Sequence, residues 1–307
     1  MTLDEAKELA RTLRRQLMLA SVSRIVLILL LTGSFLAALL QSEKDAGRDA
    51  LWFAAMLAAI TWATLTMFSV RQVRAANQAS LYISTGRLDL AEEQLKSAVH
   101  LFSFYRAGKL LACHNLAVVV HGRKNYLAAA ELCDCVVRLG GKISRGAGRL
   151  CRILLADCRL LMGDPGGALE ALQPLALTEP PPQAPPTPAP SGRAVQRCMP
   201  ALNLSEQLLL LPIELRCHVG LGQYDRAVES LDWKVKLAEL LDSPKAAMVH
   251  ALLAEACRRV GRPAQAAFLQ RRAELYADLE ALATEYPLLS RSTPRPGNAD
   301  NNIDNAS

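Results

Sequence analysis

The residues best equipped for chemistry are eight cysteines and five histidines. The cysteines are Cys113, Cys133, Cys135, Cys151, Cys158, Cys198, Cys217 and Cys257, and all but Cys198 fall in stretches of helical periodicity, mostly on apolar faces. Cys133 and Cys135 are two residues apart, and on a helix such residues point in different directions. That spacing suits neither tetrahedral metal binding nor a redox pair. Buried free thiols, acting as small hydrophobes in a reducing compartment, account for the cysteines better. His100, His114, His121, His218 and His250 are scattered, and none forms a His-Glu-x-x-His pair. The chain also has no phosphate-cradling glycine loop and no nucleophile elbow. Gly140, Gly141, Gly146 and Gly148 punctuate a basic connection with Lys142, Arg145, Arg149 and Arg152. A solvated turn is the simpler reading of it, and contact with anionic lipid or an acidic partner the sharper one. No catalytic, cofactor or metal site can be named, so the chain does not read as an enzyme.

The elements that would carry these residues are helices. Over 307 residues, aromatics are 5% while alanine and leucine abound, a composition that suits stacked helices better than a sheet. The net charge of +6 is mild, and no basic stripe is interleaved with aromatic residues. Nucleic acid is therefore not an expected partner.

Residues 1–20 form a charged amphipathic helix whose apolar stripe is Leu3, Ala6, Ala10, Leu13 and Leu17. Such a stripe suits a membrane surface, a partner, or the protein itself. Two apolar runs follow. Ile25–Leu40 is uncharged over 16 residues and extends upstream past Arg24, and Ala50–Val70 is uncharged over 21. About 20 apolar residues cross a bilayer, so spans of about 22–40 and 50–70 are expected, with Arg24 reaching back to the interface. A cleaved leader is the alternative for the first run. Its length, its closing Leu39 and Leu40, and the want of a small-x-small site speak against that. Gln41–Asp49 is then a polar turn. Lys7, Arg11, Arg14, Arg15 and Arg24 precede the first span and Arg71 and Arg74 follow the second, which places both termini in the cytoplasm. No Gly or Pro interrupts Leu51–Thr85, so the second span is expected to run straight into the next helix.

Beyond residue 75 a phrase recurs: Gly-x-apolar-x-x-Ala. It reads Gly86…Leu88…Ala91, Gly163…Pro165…Ala168, Gly222…Tyr224…Ala227 and Gly261…Pro263…Ala266, with a longer copy, Gly122…Tyr126…Ala129. Each copy sits between two helical patterns. The glycine takes a left-handed cap, and the alanine lets the second helix pack closely on the first. The spacings between glycines are 36, 41, 59 and 39 residues. The long one holds seven prolines between Pro180 and Pro190, and removing about 20 residues there restores the period. That segment reads as an extended linker. Asp164-Pro165 and Ser243-Pro244 place a capping side chain ahead of a proline at the first helical position. Pro212 should kink its helix or move its start. The last helix is expected from Pro263 to about Tyr286, and the Ser-, Pro- and Asn-rich 287–307 as a disordered tail.

These units resemble tetratricopeptide repeats in period and in several signature places. Ala79, Tyr82, Gly86, Leu88, Ala91, Leu95 and Ala98 stand at the family's spacings in the first unit, and Leu253, Ala254, Gly261, Ala266 and Ala273 in the last. Asn115 and Leu215 stand where a small residue is usual, and the aromatic-rich start of the pattern is absent. The resemblance covers about 75–177 and 202–285. It implies an α-solenoid of about five helix–turn–helix repeats, and together with the two apolar runs the expected fold is all-α: a two-helix transmembrane hairpin followed by that tetratricopeptide-like solenoid. The domains expected are 1–20 amphipathic helix, 21–70 hairpin, 71–177 repeats one to three, 178–200 linker, 201–286 repeats four and five, and 287–307 tail.

In that family the first helix of each unit lines a concave groove for peptides or helices. The resemblance places Ile83, Lys109, Leu116, Val119, Asp157, Leu160, Arg216, Glu255 and Arg258 on that groove as candidate partner contacts. Family members that clamp chaperone tails use Lys, Asn and Arg at set positions that here hold Ala76, Ser80, Cys113, Leu150 and Leu154, so that ligand is disfavoured. A largely apolar groove suits an amphipathic helix or occlusion by the chain's own terminal helices. The expected function is a membrane-anchored scaffold that binds and positions protein partners at the cytoplasmic face, in contact with membrane lipids. The alternative is an accessory subunit of a membrane enzyme or transport complex, held through the hairpin.

Overall fold

The computed structural model describes residues 1–40, 45–140, 145–175, 202–278, 280, 281 and 284. The proline-rich linker, the C-terminal tail, Cys198, residues 41–44 of the expected polar turn and 141–144 of the basic connection lie outside these. Among the described residues the fold is all-helical, with twelve α-helices and one 3-10 turn. The chain divides into two compact units, Met1–Met162 and Gly163–Ser307.

The first unit holds α1 (Leu3–Leu40), α2 (Asp45–Ser84), α3 (Leu88–His100), α4 (Arg106–Gly122), α5 (Tyr126–Gly140) and α6 (Arg145–Leu161). Successive helices from α2 to α6 pack on their neighbours in the chain, and α1 packs on α2, α3 and α5. Two features of α1 and α2 follow from their sequences. Neither holds an internal proline, and each runs unbroken for 38 and 40 residues. The expected passage of α2 through 71–75 without a break is therefore present. Of the polar stretch Gln41–Asp49 expected as a turn, Asp45–Asp49 already belong to α2. The amphipathic stripe of α1 is buried: Ala6, Leu9, Ala10, Leu13, Leu17 and Ala20 are all at most 9% exposed. Of the three surfaces that stripe could have met, it meets the protein itself.

The second unit holds α7 (Pro165–Leu172), a 3-10 turn (Gln173–Leu175), α8 (Leu204–Gly220), α9 (Tyr224–Val228), α10 (Leu231–Ala238), α11 (Ser243–Arg259) and α12 (Pro263–Tyr276). Its centre is α11, where every residue from Ala246 to Cys257 is buried. A capping box between Asn203 and Glu206 starts α8, which then runs through Pro212 without interruption. So Pro212 does not move the start; it leaves one carbonyl a turn earlier without its usual amide. Asp164 caps α7 as expected, accepting from the Gly167 amide at 2.8 Å. The cap of α11 is Asp242, not Ser243: its carboxylate accepts from the Lys245 amide at 3.2 Å. The helix from Pro263 ends at Tyr276. Ala277 is extended, the Asp278 carboxylate accepts from the Glu280 amide as a capping residue does, and Glu280, Ala281 and Thr284 are helical again, so the stretch expected as one helix to about Tyr286 is interrupted at Ala277.

The recurring phrase does the structural work its residues suggest. Gly86, Gly163, Gly222 and Gly261 have φ between 71° and 82°. At Gly86 the amide of Arg87 bonds the Tyr82 carbonyl and the Gly86 amide that of Ile83, closing the helix end. The same pair of hydrogen bonds recurs at Gly222 and Gly261. Ala91, Ala129, Ala168, Ala227 and Ala266 are all buried. The longer copy is the exception. There Gly122 still belongs to α4, and Lys124 takes the left-handed position at φ 61°. A side chain strains that conformation by about 1 kcal/mol. Lys124→Gly is therefore expected to raise the unfolding free energy by about 1 kcal/mol and Gly222→Ala to lower it by a similar amount, read from denaturant melts of the full chain.

Candidate functional site

The nine candidate groove residues divide by burial. Lys109, Leu116 and Val119 on α4 are fully buried, so they present no surface to a partner. Ile83, Asp157, Leu160 and Arg216 are half-buried, and Arg258 is exposed. Asp157 on α6 lies 3.0 Å from His121 Nε2 at the end of α4. In the second unit Glu255 is 7% exposed; it pairs with Arg258 and, at 2.8 Å, with Arg259. The Arg259 guanidinium also lies 5.9 Å from the Tyr224 ring centre. The structure thus brings Glu255 and Arg258 together on one end of α11. Leu116 and Val119 on α4, and Asp157 and Leu160 on α6, are each three residues apart on one helix face.

Lys109 shows why a lysine can sit in a core. Its ammonium donates to the Val99 carbonyl at 3.2 Å, in the last turn of α3. The negative end of a helix accepts a cation there. Burial lowers its pKa to about 8. Lys234 does the same in the second unit, donating to the carbonyls of Arg226 and Ala227 at 3.1 and 3.0 Å. The helix expected after Gly222 is broken there: α9 ends at Val228, and Ser230 adopts φ 51° before α10 begins. The break frees carbonyls that the buried ammonium then satisfies. No Gly or Pro marks it in the sequence.

This break opens a recess of about 760 Å³, lined by Glu170, Glu214, His218, Gln223, Glu229, Trp233 and Lys234 among others. His218 Nδ1 lies 3.0 Å from the Gln223 side-chain oxygen, and its Nε2 lies 3.7 Å from Glu214. The size suits a small ligand or a partner's side chains. Sequence reasoning missed it, and the only trace was Glu214 and His218 one helical turn apart.

A second polar cluster lies in the first unit. Cys151 Sγ on α6 is 3.3 Å from His114 Nδ1 on α4, and both are buried. The hydrogen bond from Cys133, against the cost of burial and with help from His114, lowers the Cys151 pKa to about 6. Burial and that same bond push Cys133 up. The spacing of Cys133 and Cys135 gave no hint of this pair, because its members come from different helices. Among the described residues no three His, Cys, Asp or Glu side chains are grouped to hold a metal.

One helix among the described residues, near the N-terminus, is long and apolar enough to cross a membrane. The apolar stretch in α2, Ala55–Phe68, is shorter than that. On α1, Met18, Leu19, Val22, Ile25, Ile28, Leu29, Leu30, Phe35 and Leu36 are all more than half exposed. No family model, curated protein or solved structure matches this chain.

His250 is the group most exposed to a change of pH. It is fully buried on α11, stacked on Tyr276 at 5.7 Å, and neither ring nitrogen has a hydrogen-bond partner. Burial, aided by Arg272 and opposed by Glu239, lowers its pKa to about 4. Between pH 6.5 and 4 the unfolded chain takes up a proton that the folded chain refuses, so stability falls as pH drops through that window. His250→Phe is expected to raise the melting temperature, and by more at pH 5 than at pH 8.

Proposed function

We propose that this chain is a membrane-anchored helical-repeat scaffold that binds and positions protein partners by contact, without turnover. The observation that carries the reading is the division of α1. Its first half buries an apolar stripe within its own unit, while its second half carries more than half-exposed leucines, isoleucines and Phe35. A contiguous apolar surface of that extent is costly in water and favourable in a bilayer. The same helix therefore serves as tie and as anchor.

The finer parts of the proposal rest on the sequence. Ala50–Val70 is the proposed second span, completing a hairpin with both flanks on the Lys- and Arg-rich, cytoplasmic side. The repeats after residue 75 are proposed to be tetratricopeptide-like, on the strength of the glycine caps and buried alanines at the family's spacings. Partners are protein segments that meet the groove positions that keep some surface, half-buried Ile83, Asp157, Leu160 and Arg216 and exposed Arg258. The second reading, an accessory subunit held through its membrane helices, is favoured by Trp52 and Trp62. Both are more than 70% exposed and offer large faces to a neighbouring helix.

Three experiments test this. Membranes washed in alkaline carbonate should retain the full chain, whereas Leu29→Arg with Leu30→Arg should release it, since each arginine costs about 2.5–3.5 kcal/mol at the centre of a span. Release of the unaltered chain would sink the anchor. Proximity labelling in the native cell should recover a consistent set of partner proteins, and recovery of lipids and the chain alone would sink the scaffold. Exchanging α1 and α2 residues 22–70 for an unrelated hairpin should preserve that set for a scaffold and lose it for an intramembrane subunit.

A further inference from the structure

Three contacts fix how α3 lies along α1. The Met1 amine meets Glu92 at 3.3 Å, Glu5 meets Lys96 at 3.5 Å, and the Gln16 side-chain amide donates to the His100 carbonyl at 2.6 Å. Both sets of numbers rise together, so α3 runs in the same direction as α1. α5 does too: Asn125, just before it, donates to the Met1 carbonyl, and the Cys135 thiol lies 3.7 Å from the carbonyl of Ala10. The consequence falls on the end of α3. It stops at His100, level with Gln16, and within one turn beyond Gln16 the surface of α1 becomes exposed and apolar, starting at Met18 and Leu19.

The chain leaves α3 there through Leu101-Phe102-Ser103-Phe104-Tyr105. Ser103 is 2% exposed, and its hydroxyl accepts from the Tyr105 amide at 3.0 Å, which holds the loop from within. Leu101, Phe102 and Tyr105 are exposed at 57%, 41% and 44%. The Phe102 and Phe104 rings meet edge to face at 5.0 Å. Three large apolar or aromatic side chains are thus held out at the level where α1 changes from a self-packed helix to an exposed apolar one. Exposed Arg14 and Arg15 lie at that same level of α1.

We propose that the 101–105 loop is a second membrane contact, inserted among the headgroups of an anionic bilayer. It rests on the reading of α1 as an anchor. Amphipathic rings favour the headgroup layer, the polar zone on each side of the hydrocarbon core is about 5–8 Å deep, and arginines beside it attract anionic headgroups. With α1 it makes two points of attachment, which sets the tilt of the first unit against the membrane.

The test uses the full chain in nanodiscs of phosphatidylcholine and phosphatidylglycerol containing a phospholipid with a photoreactive diazirine. In one preparation the diazirine sits close to the acyl carbonyl, and in another at the chain terminus. Peptide mass spectrometry then locates the labelled residues. The shallow probe should label both 101–105 and the start of the apolar face of α1, and the label on 101–105 should be lost with the deep probe while that on residues 25–36 persists. Labelling of α1 by both probes with none on 101–105 overturns the proposal and leaves the anchor standing. Absence of label from both segments overturns both.

Discussion

The fit of the first half of α1 within its own unit is the contact on which the rest depends. Leu9, Leu13 and Leu17 are each at most 5% exposed, and burying one leucine is worth roughly 1.5–3 kcal/mol. The ion pair between Glu5 and Lys96 is solvent-exposed, at 54% and 34% for the two side chains, and water screens such a pair so that it adds little to stability. The leucines therefore hold the helix in place, and the polar contacts set its register along α3 and α5. Because α1 is unbroken to Leu40, whatever fixes its first half also aims its second.

Buried charge is satisfied in two ways. Lys109 and Lys234 each direct an ammonium at carbonyls in the last turn of a helix. Glu92 lies almost wholly buried against the Met1 amine at 3.3 Å, Lys96 at 2.7 Å and Arg123 at 2.8 Å. Burial alone would raise its pKa, yet the hydrogen bonds from Lys96 and the amine outweigh burial and hold the carboxyl below its ordinary value. Stability drawn from it is present above the ordinary carboxylate range and is lost as pH falls through the lowered value. His250 is the exception, a buried ring without partners.

Local chemistry was the legible part of the sequence. The glycine caps, the buried alanines, the Asp164 cap and the continuity of α2 all follow from one or two residues acting on their own backbone. The parts that escaped depend on residues far apart in the chain. Lys109 stood on the predicted groove by spacing, but the end of α3 draws it inward. Cys151 and His114 meet across α4 and α6, which no spacing reveals. The break at Ser230 carries no glycine or proline, and the recess it opens was invisible for that reason. The amphipathic stripe of α1 was plain, though what it packs on was not, since Leu13 reads the same against lipid, a partner or its own fold.

The proposed anchor requires α1 to join the first unit to the membrane as one stiff helix. Amide hydrogen exchange of the full chain in nanodiscs, resolved along residues 10–30, tests it most directly. A stiff α1 gives unbroken slow exchange across Gln16–Arg24, where the self-packed half passes into the apolar half. Fast exchange confined to that junction, with slow exchange on either side, would show a hinge and contradict it.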